Sequence, residues 1–278
     1  MTVAELLRAA TEELRAAGVE TPRTDSELLL CRVLGATRAE LHTDSRRVLA
    51  GDDIDELRML LARRARREPL AYVLGEWGFR RLVLRADRRA LVPRPETETV
   101  VERCLALLAD VAEPDVLDVG TGTGAIALAL ADEHPGARVT ALDRSCAALA
   151  LARENVERTG LAARVRPVEG DLVDGLPPGP FHLVVSNPPY VAADELPGLE
   201  PEVRDWEPRD ALVDAGQTGT LAAGARAVLR PGGSLVLECH EQRAGEVAEA
   251  LSSAGYEGVT ITRDLAGRAR VVDGRWAR

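Results

Sequence analysis

Lysine is missing from this chain: all 35 basic residues among its 278 are arginine. Three chemistries go with it. A Walker-type phosphate loop has no lysine to reach the phosphates, a pyridoxal Schiff base has no amine partner, and a lysine general base is excluded. Cysteine and histidine are sparse. Cys31, Cys104, Cys146 and Cys239 form no Cys-x-x-Cys pair, and His42, His134, His182 and His240 show no i, i+4 pairing. No zinc site, and no metal, is therefore expected, and the cysteines read as free thiols. No apolar run of about 18 residues or more exists, so no membrane-spanning helix is expected. The stretch from Met1 to Ala10 has an acid at Glu5 and no basic n-region, which predicts a cytoplasmic location.

What is present describes a folded protein. The apolar fraction is 46%, well above that of a disordered chain of this charge. At about 150 residues per domain the length allows one large domain, or a large and a small one. Acids outnumber bases 45 to 35, giving −10, and the excess is uneven. Residues 1–89 hold 17 arginines and 15 acids, or +2, while 90–278 hold 18 and 30, or −12.

The front of the chain reads as helix. Val3, Leu6, Leu7, Ala10 and Leu14 recur at helical spacing. Thr24-x-x-Glu27 reads as a capping box leading into Leu28, Leu29, Leu30 and Val33, with Gly35 as a stop, and Thr37-x-x-Glu40 repeats the device. Ile54, Leu57, Leu60 and Leu61 form a further stripe, ended by Pro69. Residues 1–68 are expected as a small helical bundle. Residues 69–93 are expected as a β-hairpin connector, with Tyr72-Val73-Leu74 and Leu82-Val83-Leu84 as its strands about Gly75 to Gly78. Pro93-Arg94-Pro95-Glu96-Thr97-Glu98 then leads into a helix with Pro95 at its first position and Glu96 and Glu98 at its positive end.

Residues 94–278 are expected as the catalytic domain. Strand candidates lie at 115–119, 138–142, 164–168, 181–186, 234–238, 259–263 and 270–272, and helices at 125–133, 146–158, 219–229 and 243–254. This alternation predicts an α/β fold with a doubly wound, mainly parallel, seven-stranded Rossmann-like sheet.

Val116-Leu117-Asp118-Val119-Gly120-Thr121-Gly122-Thr123-Gly124-Ala125 runs from a buried strand through a glycine-rich turn into an alanine-rich helix. Glycines let the backbone turn sharply and a ligand approach closely. Gly120, Gly122 and Ala125 also fit the permissive dinucleotide pattern, so this loop alone leaves NAD open. Asp143, at the end of the second strand, is placed to accept both hydroxyls of an adenosine ribose, in a dinucleotide or in S-adenosylmethionine, before it reads as a cap on the next helix. Asp171, after the third strand, is where an adenine amino group would be read.

The deciding motif is Ser186-Asn187-Pro188-Pro189-Tyr190, directly after the fourth strand. Ligands of such sheets bind beyond the carboxyl ends of the strands. Two prolines remove two backbone donors and leave carbonyls free to accept. The Asn187 oxygen and a proline carbonyl can together accept both N–H groups of a planar –NH2, with the Tyr190 ring packed on its plane. An amide or aromatic amine is a poor nucleophile, because its lone pair is delocalised. Two acceptors orient it toward an electrophilic methyl group and pull electron density onto it, so the rate gain is alignment and preorganised electrostatics without a strong base.

These motifs together resemble the HemK/PrmC-type release-factor glutamine N5-methyltransferases, class I enzymes that use S-adenosylmethionine. The likeness covers nearly the whole length. It includes Arg67-Glu68-Pro69-Leu70 with Leu74-Gly75, the Val92 to Glu98 segment, Asp118 through Ile126, Asn187 through Tyr190, Glu207-Pro208 with Ala211-Leu212, and Asp264-Leu265-Ala266-Gly267 with Arg270-Val271-Val272. The resemblance implies that Gly120, Thr121, Gly122, Thr123 and Gly124 hold the methionine part of the cofactor, Asp143 its ribose, and the Asp171–Leu172 corner its adenine. It implies that Asn187, Pro188, Pro189 and Tyr190 hold the target amide, with Asn187 also beside the cofactor, and that the substrate is the glutamine of the Gly-Gly-Gln loop of peptide chain release factors. Arg94, Glu96 and Glu98 would shape the cleft wall. A monomer is implied, with an N-terminal substrate-recognition domain.

Two stretches depart from the family pattern. Glu238-Cys239-His240 puts histidine where glycine is usual, and Val213 to Thr218 lacks the common Asp-Gly-Leu. His240 reads as a solvated loop residue before it reads as a base. Other substrates stay open: a glutamine of a ribosomal protein, or a nucleic-acid adenine. Nucleic acid normally asks for a basic footprint. Here the catalytic part is acidic, and the one basic cluster, Arg63-Arg64-Ala65-Arg66-Arg67, reads first as a solvated helix face. An NAD-dependent dehydrogenase would need a hydride-site acid or base that is not apparent, and the Asn187 loop argues against a non-catalytic adaptor.

Overall fold

The computed structural model describes residues 1–277. Two compact units are distinguished: Met1–Glu76 with Leu199–Trp206, and Trp77–Gly198 with Glu207 onward.

The first unit is helical. In α1 (Val3–Ala16) Thr2 and Glu5 form a capping box, and Val3, Leu6, Leu7, Ala10 and Leu14 face inward. The expected box at Thr24 is not there. Helix α2 (Pro22–Leu34) starts earlier, at Pro22, whose fixed φ and missing N–H suit a first helical position. Glu27 is buried instead, bound by Arg23 Nε at 2.7 Å and by Arg38. Gly35 ends α2 in the left-handed conformation, and Thr37 caps α3 (Arg38–Thr43) as expected. Helix α4 (Gly51–Ala65) contributes Leu57 and Leu61 to a core with Leu14, Leu29 and Leu30. Residues Tyr72 to Leu74 belong to a short helix, α5 (Leu70–Leu74), not to a strand; Gly75, at φ 78, stops it. Arg64 is almost fully buried and binds Asp25 Oδ2 at 2.7 Å and Glu202 Oε1 at 2.7 Å.

The hairpin is thus β1 (Glu76–Phe79) with β2 (Leu82–Arg85), later than the sequence suggested for its first strand. Phe79 and Leu84 enter the core of the second unit. Helix α6 (Thr97–Leu108) begins at Thr97, with Glu96 at its cap and Pro95 one residue outside. Pro95 does not occupy the first helical position, because the backbone from Arg94 to Thr99 first makes three tight turns, each N–H reaching the carbonyl three residues back. Glu96 pairs with Arg268, and Glu98 accepts the backbone N–H of Arg80.

The chain then alternates β3 (Asp115–Val119), α7 (Ala125–Glu133), β4 (Arg138–Asp143), α8 (Cys146–Thr159), β5 (Val165–Glu169) and β6 (Phe181–Ser186). After α9 (Pro201–Arg204), which belongs to the first unit, come α10 (Gln217–Val228), β7 (Leu229–Glu238), α11 (Ala244–Ser253), β8 (Glu257–Arg263) and β9 (Ala269–Arg275). Strand β7 opens ahead of the expected 234 because Leu229 pairs with Phe181 before an irregularity in the register.

The seven strands lie in the order β5-β4-β3-β6-β7-β9-β8, parallel except β9, which is antiparallel to both neighbours. Successive side chains serve opposite faces. Leu183, Val185 and Val236 join Leu128 and Leu130 in one core, while Val184, Leu235 and Leu237 join Leu221 and Leu251 in the other. Both faces are covered, which is why these strands read as continuous apolar runs. The register aligns the carboxyl ends: Val119 stands opposite Leu142 and Ser186, Asp143 opposite Glu169, and Ser186 opposite Leu237. The chain order reverses between β3 and β6, so the ligand crevice of such a sheet opens beside those two strands.

Candidate active site

A cleft of about 660 Å³ lies at these carboxyl ends, within the usual range for a small-molecule site. Its first wall is the turn after β3. Gly120, Gly122 and Gly124 have φ of 73, 56 and 84, a region that residues with a Cβ rarely adopt. The N–H groups of Gly120 and Thr121 both donate to the Leu142 carbonyl, at 2.8 and 3.0 Å. The Thr123 carbonyl accepts from buried Asn155 Nδ2 at 2.9 Å, and the same side chain binds the backbone of Arg85 on the hairpin. A Cβ on Gly120 would meet no protein atom within 4 Å, so the backbone there is open to a ligand.

Below the turn, Asp118 is buried. Its Oδ2 accepts from the Thr121 hydroxyl at 2.6 Å, and its Oδ1 has no partner among the described residues. Burial pushes this carboxyl up to about 7, and the nearby charge of Asp143 adds to the rise. Asp143 accepts from Gly122 N at 2.8 Å and from Ser145 N at 2.9 Å. It is not the helix cap, since Ser145 caps α8 through Ala148 N. Each carboxylate oxygen retains a lone pair for a further donor. Asp171 caps a short turn through Val173 N and lines the cleft with Leu172.

The opposite wall is the turn after β6. Asn187, Pro188 and Pro189 line the cleft. Asn187 Nδ2 donates to Thr97 Oγ1 at 3.3 Å. Arg94 also lines it, held by Glu207 Oε2 at 2.6 Å, while the other oxygen of Glu207 accepts Val92 N. Glu207 is buried, and its carboxyl is raised by that burial in spite of Arg94. This pair connects two sequence blocks over a hundred positions apart.

Of the twelve residues singled out from sequence, ten line this one cleft: Gly120, Thr121, Gly122, Thr123, Asp143, Asp171, Leu172, Asn187, Pro188 and Pro189. Gly124 and Tyr190 do not. Gly124 sits at the start of α7, where its Cβ would crowd Leu128 at 3.3 Å. The Tyr190 ring lies 6.2 Å from that of His240, and burial pushes its hydroxyl up to about 12. His240 caps the turn after β7 through Gln242 N. Thr97, Glu207, Asn155 and Glu238 support the site without any local sequence signal for those contacts. Among the described residues no cluster of three His, Cys, Asp or Glu side chains could hold a metal, and no helix is long and apolar enough to cross a membrane.

The open glycine backbone, two carboxylates and the apolar Leu142, Ala148 and Leu172 between them fit an adenosine joined to a charged amino acid. Sheet order, glycine turn and cleft define a class I methyltransferase, with S-adenosylmethionine as methyl donor. The same fold is found in the crystal structure of a methyltransferase from Pyrococcus furiosus, with a TM-score of 0.50 at 22% identity over 70% of this chain and 89% of that one. The description "PrmC N-terminal domain" matches residues 5–75, and "Methyltransferase small domain" matches 101–198. The release factor glutamine methyltransferase of Deinococcus radiodurans is 44% identical over 284 residues, covering 100% of this chain and 99% of that protein. The corresponding protein of Caulobacter vibrioides is 39% identical, covering 99% and 96%. The chain belongs to the release factor glutamine methyltransferase family.

Proposed function

We propose that this protein transfers a methyl group from S-adenosylmethionine to the side-chain amide nitrogen, N5, of the glutamine in the Gly-Gly-Gln motif of peptide chain release factors. One observation carries the reading. Asn187 and Pro188 stand at the end of β6 in the same cleft as the glycine turn after the adjacent β3, so an amide acceptor and a nucleoside donor face one another across the switch point.

S-adenosylmethionine, when bound, supplies a methyl carbon whose leaving group is a neutral thioether. The chain supplies the rest. The open backbone at Gly120 to Gly122 receives the amino-acid part, Asp143 accepts from ribose hydroxyls, and Asp171 with Leu172 meets the adenine. Asn187 Oδ1 and the Pro188 carbonyl accept the two hydrogens of the glutamine amide and turn its nitrogen toward the methyl carbon. The new N–C bond forms as the S–C bond breaks, and the nitrogen then loses one proton. No side chain is needed as a strong base, because alignment and fixed acceptors lower the barrier. Tyr190, directly after Pro189, packs beside the held amide.

The acidic catalytic part, at −12, suits a protein substrate and a cationic cofactor better than a nucleic acid. Release factors place the reaction in the cytoplasm, with the protein acting as a monomer whose N-terminal helices meet the substrate. The test is methylation of purified release factors and ribosomal proteins with labelled cofactor, followed by site mapping by mass spectrometry. Label on the Gly-Gly-Gln glutamine is the expected result; label confined to a ribosomal protein would overturn the substrate.

A further inference from the structure

Glu238 is the last residue of β7. It is 2% exposed, and its Oε2 meets no donor among the described residues. It is not on the cleft wall. Facing its carboxylate are the hydroxyl of Thr97, at the start of α6, and the side chain of Asn187, after β6. Thr97 Oγ1 in turn takes the Asn187 Nδ2–H. The other groups around Glu238 are Arg270 on β9, Glu96 at the head of α6, the Tyr190 phenol and the Cys239 thiol. Arg270 is the one cation among them.

A primary amide presents an acceptor and a donor of nearly the same shape, and its partners decide which is turned outward. An ionised carboxylate only accepts. Glu238 therefore draws the single Thr97 hydroxyl proton, which leaves Thr97 Oγ1 as an acceptor and selects Nδ2 of Asn187 over Oδ1. Donation runs one way: Asn187 donates to Thr97 and to Glu238, and Thr97 donates to Glu238. We propose that Glu238 and Thr97 are positioning residues that fix the Asn187 amide with its nitrogen inward, so that its oxygen is what the substrate –NH2 meets. The opposite orientation would set –NH2 against –NH2 and remove one of the two acceptors. This inference rests on the reading of Asn187 as the residue that holds the glutamine amide.

Protonation of Glu238 removes the direction. A neutral acid can donate to Thr97, whose own proton is then available to Asn187 Oδ1, and the amide turns over. Burial pushes Glu238 up to about 7 against the pull of Thr97 and Arg270, so the ordered state belongs to pH above that value.

The experiment measures methyl transfer to a release factor from roughly pH 5.5 to 9 for wild type, Glu238→Gln, Thr97→Val and Thr97→Ser, with S-adenosylhomocysteine affinity by calorimetry on each. Wild-type kcat is expected to fall on the acid side with a midpoint near 7. Glu238→Gln and Thr97→Val are expected to lower kcat at alkaline pH by about ten- to a hundredfold, to flatten the acid limb, and to leave cofactor affinity within about twofold. Thr97→Ser, which keeps the hydroxyl, recovers most of the Val loss. A parallel fall in kcat and cofactor affinity overturns the proposal, as does an acid limb that survives in both variants. Should Glu238→Gln fail to fold, Thr97→Val and the wild-type profile decide. A wild type inactive on release factors but active on another glutamine-bearing protein refutes the substrate alone, and the same profiles on that protein then decide the positioning.

Discussion

Replacing Asp143 by asparagine tests the cofactor end of the cleft at the point where one side chain serves two purposes. The carboxylate holds the glycine turn through Gly122 N at 2.8 Å and the start of α8 through Ser145 N at 2.9 Å. Asparagine keeps one acceptor and turns the other into a donor, so one of these N–H groups would face another N–H. Loss of one charge-assisted bond costs about 1.5–3 kcal/mol, and the ribose hydroxyls would meet a weaker acceptor. The Kd for S-adenosylhomocysteine should therefore rise roughly ten- to a hundredfold by titration calorimetry, with kcat at saturating cofactor changing less. A 2′-deoxy analogue separates the two purposes, since it should lose less affinity on the substitution than the parent ligand. An unchanged Kd would refute the placement of Asp143 in the cofactor site. Equal losses for both ligands would leave it with the turn alone.

Asn187→Ala should abolish methyl transfer while cofactor affinity stays within about twofold, because the alanine keeps the backbone and loses only the amide; parallel loss of both would make Asn187 a scaffold residue. Glu202→Gln should destabilise the first unit by about 3 kcal/mol in urea unfolding, because Arg64, with a side chain only 7% exposed, loses an anionic partner. Unchanged unfolding would mean that Asp25 alone suffices for it. The Arg67 and Arg64 guanidiniums outweigh burial and hold the Glu202 carboxyl below its ordinary value, so its contribution is present at neutral pH and disappears as pH falls through the lowered value. Asp118 has the opposite sign. With its carboxyl raised to about 7, the folded state is favoured where the group is protonated, and that advantage is lost as pH rises from the unfolded value through 7. Asp118→Asn should gain in Tm relative to wild type as pH rises across that interval, and a difference that stays flat with pH would rule out a raised carboxyl.

Strands β3 and β6 could be bounded from the sequence at both ends, because buried parallel strands are continuous apolar runs that stop at Gly120 and at Asn187-Pro188. The cleft followed from the same logic, since a sheet of this kind places its ligands at those stops. Shorter-range rules failed where a stronger local feature competed. Pro22 displaced the Thr24 box, and Gly75 closed a helical turn over Tyr72 to Leu74, whose β-branched and aromatic content had suggested a strand. What the sequence left hidden was pairing between distant positions. Thr97 lies 90 residues from Asn187, Arg94 lies 113 from Glu207, and Arg64 lies 138 from Glu202. Charge patterning could not separate buried Arg64 from a solvated face, because its neighbours in the cluster are also arginines.

Residues 199–206 have a practical consequence for anyone dissecting the protein. The catalytic unit is not one uninterrupted stretch of polypeptide, because its chain departs after Gly198 and resumes at Glu207. A fragment expressed from Trp77 onward would still contain Glu202 but neither arginine that neutralises it. Trimming the front end would therefore alter the span that runs from the amide-binding turn to Glu207, and poor activity in such a fragment would not by itself show that the helices recognise substrate. An internal deletion of the eight-residue detour, compared with the trimmed fragment, separates these effects.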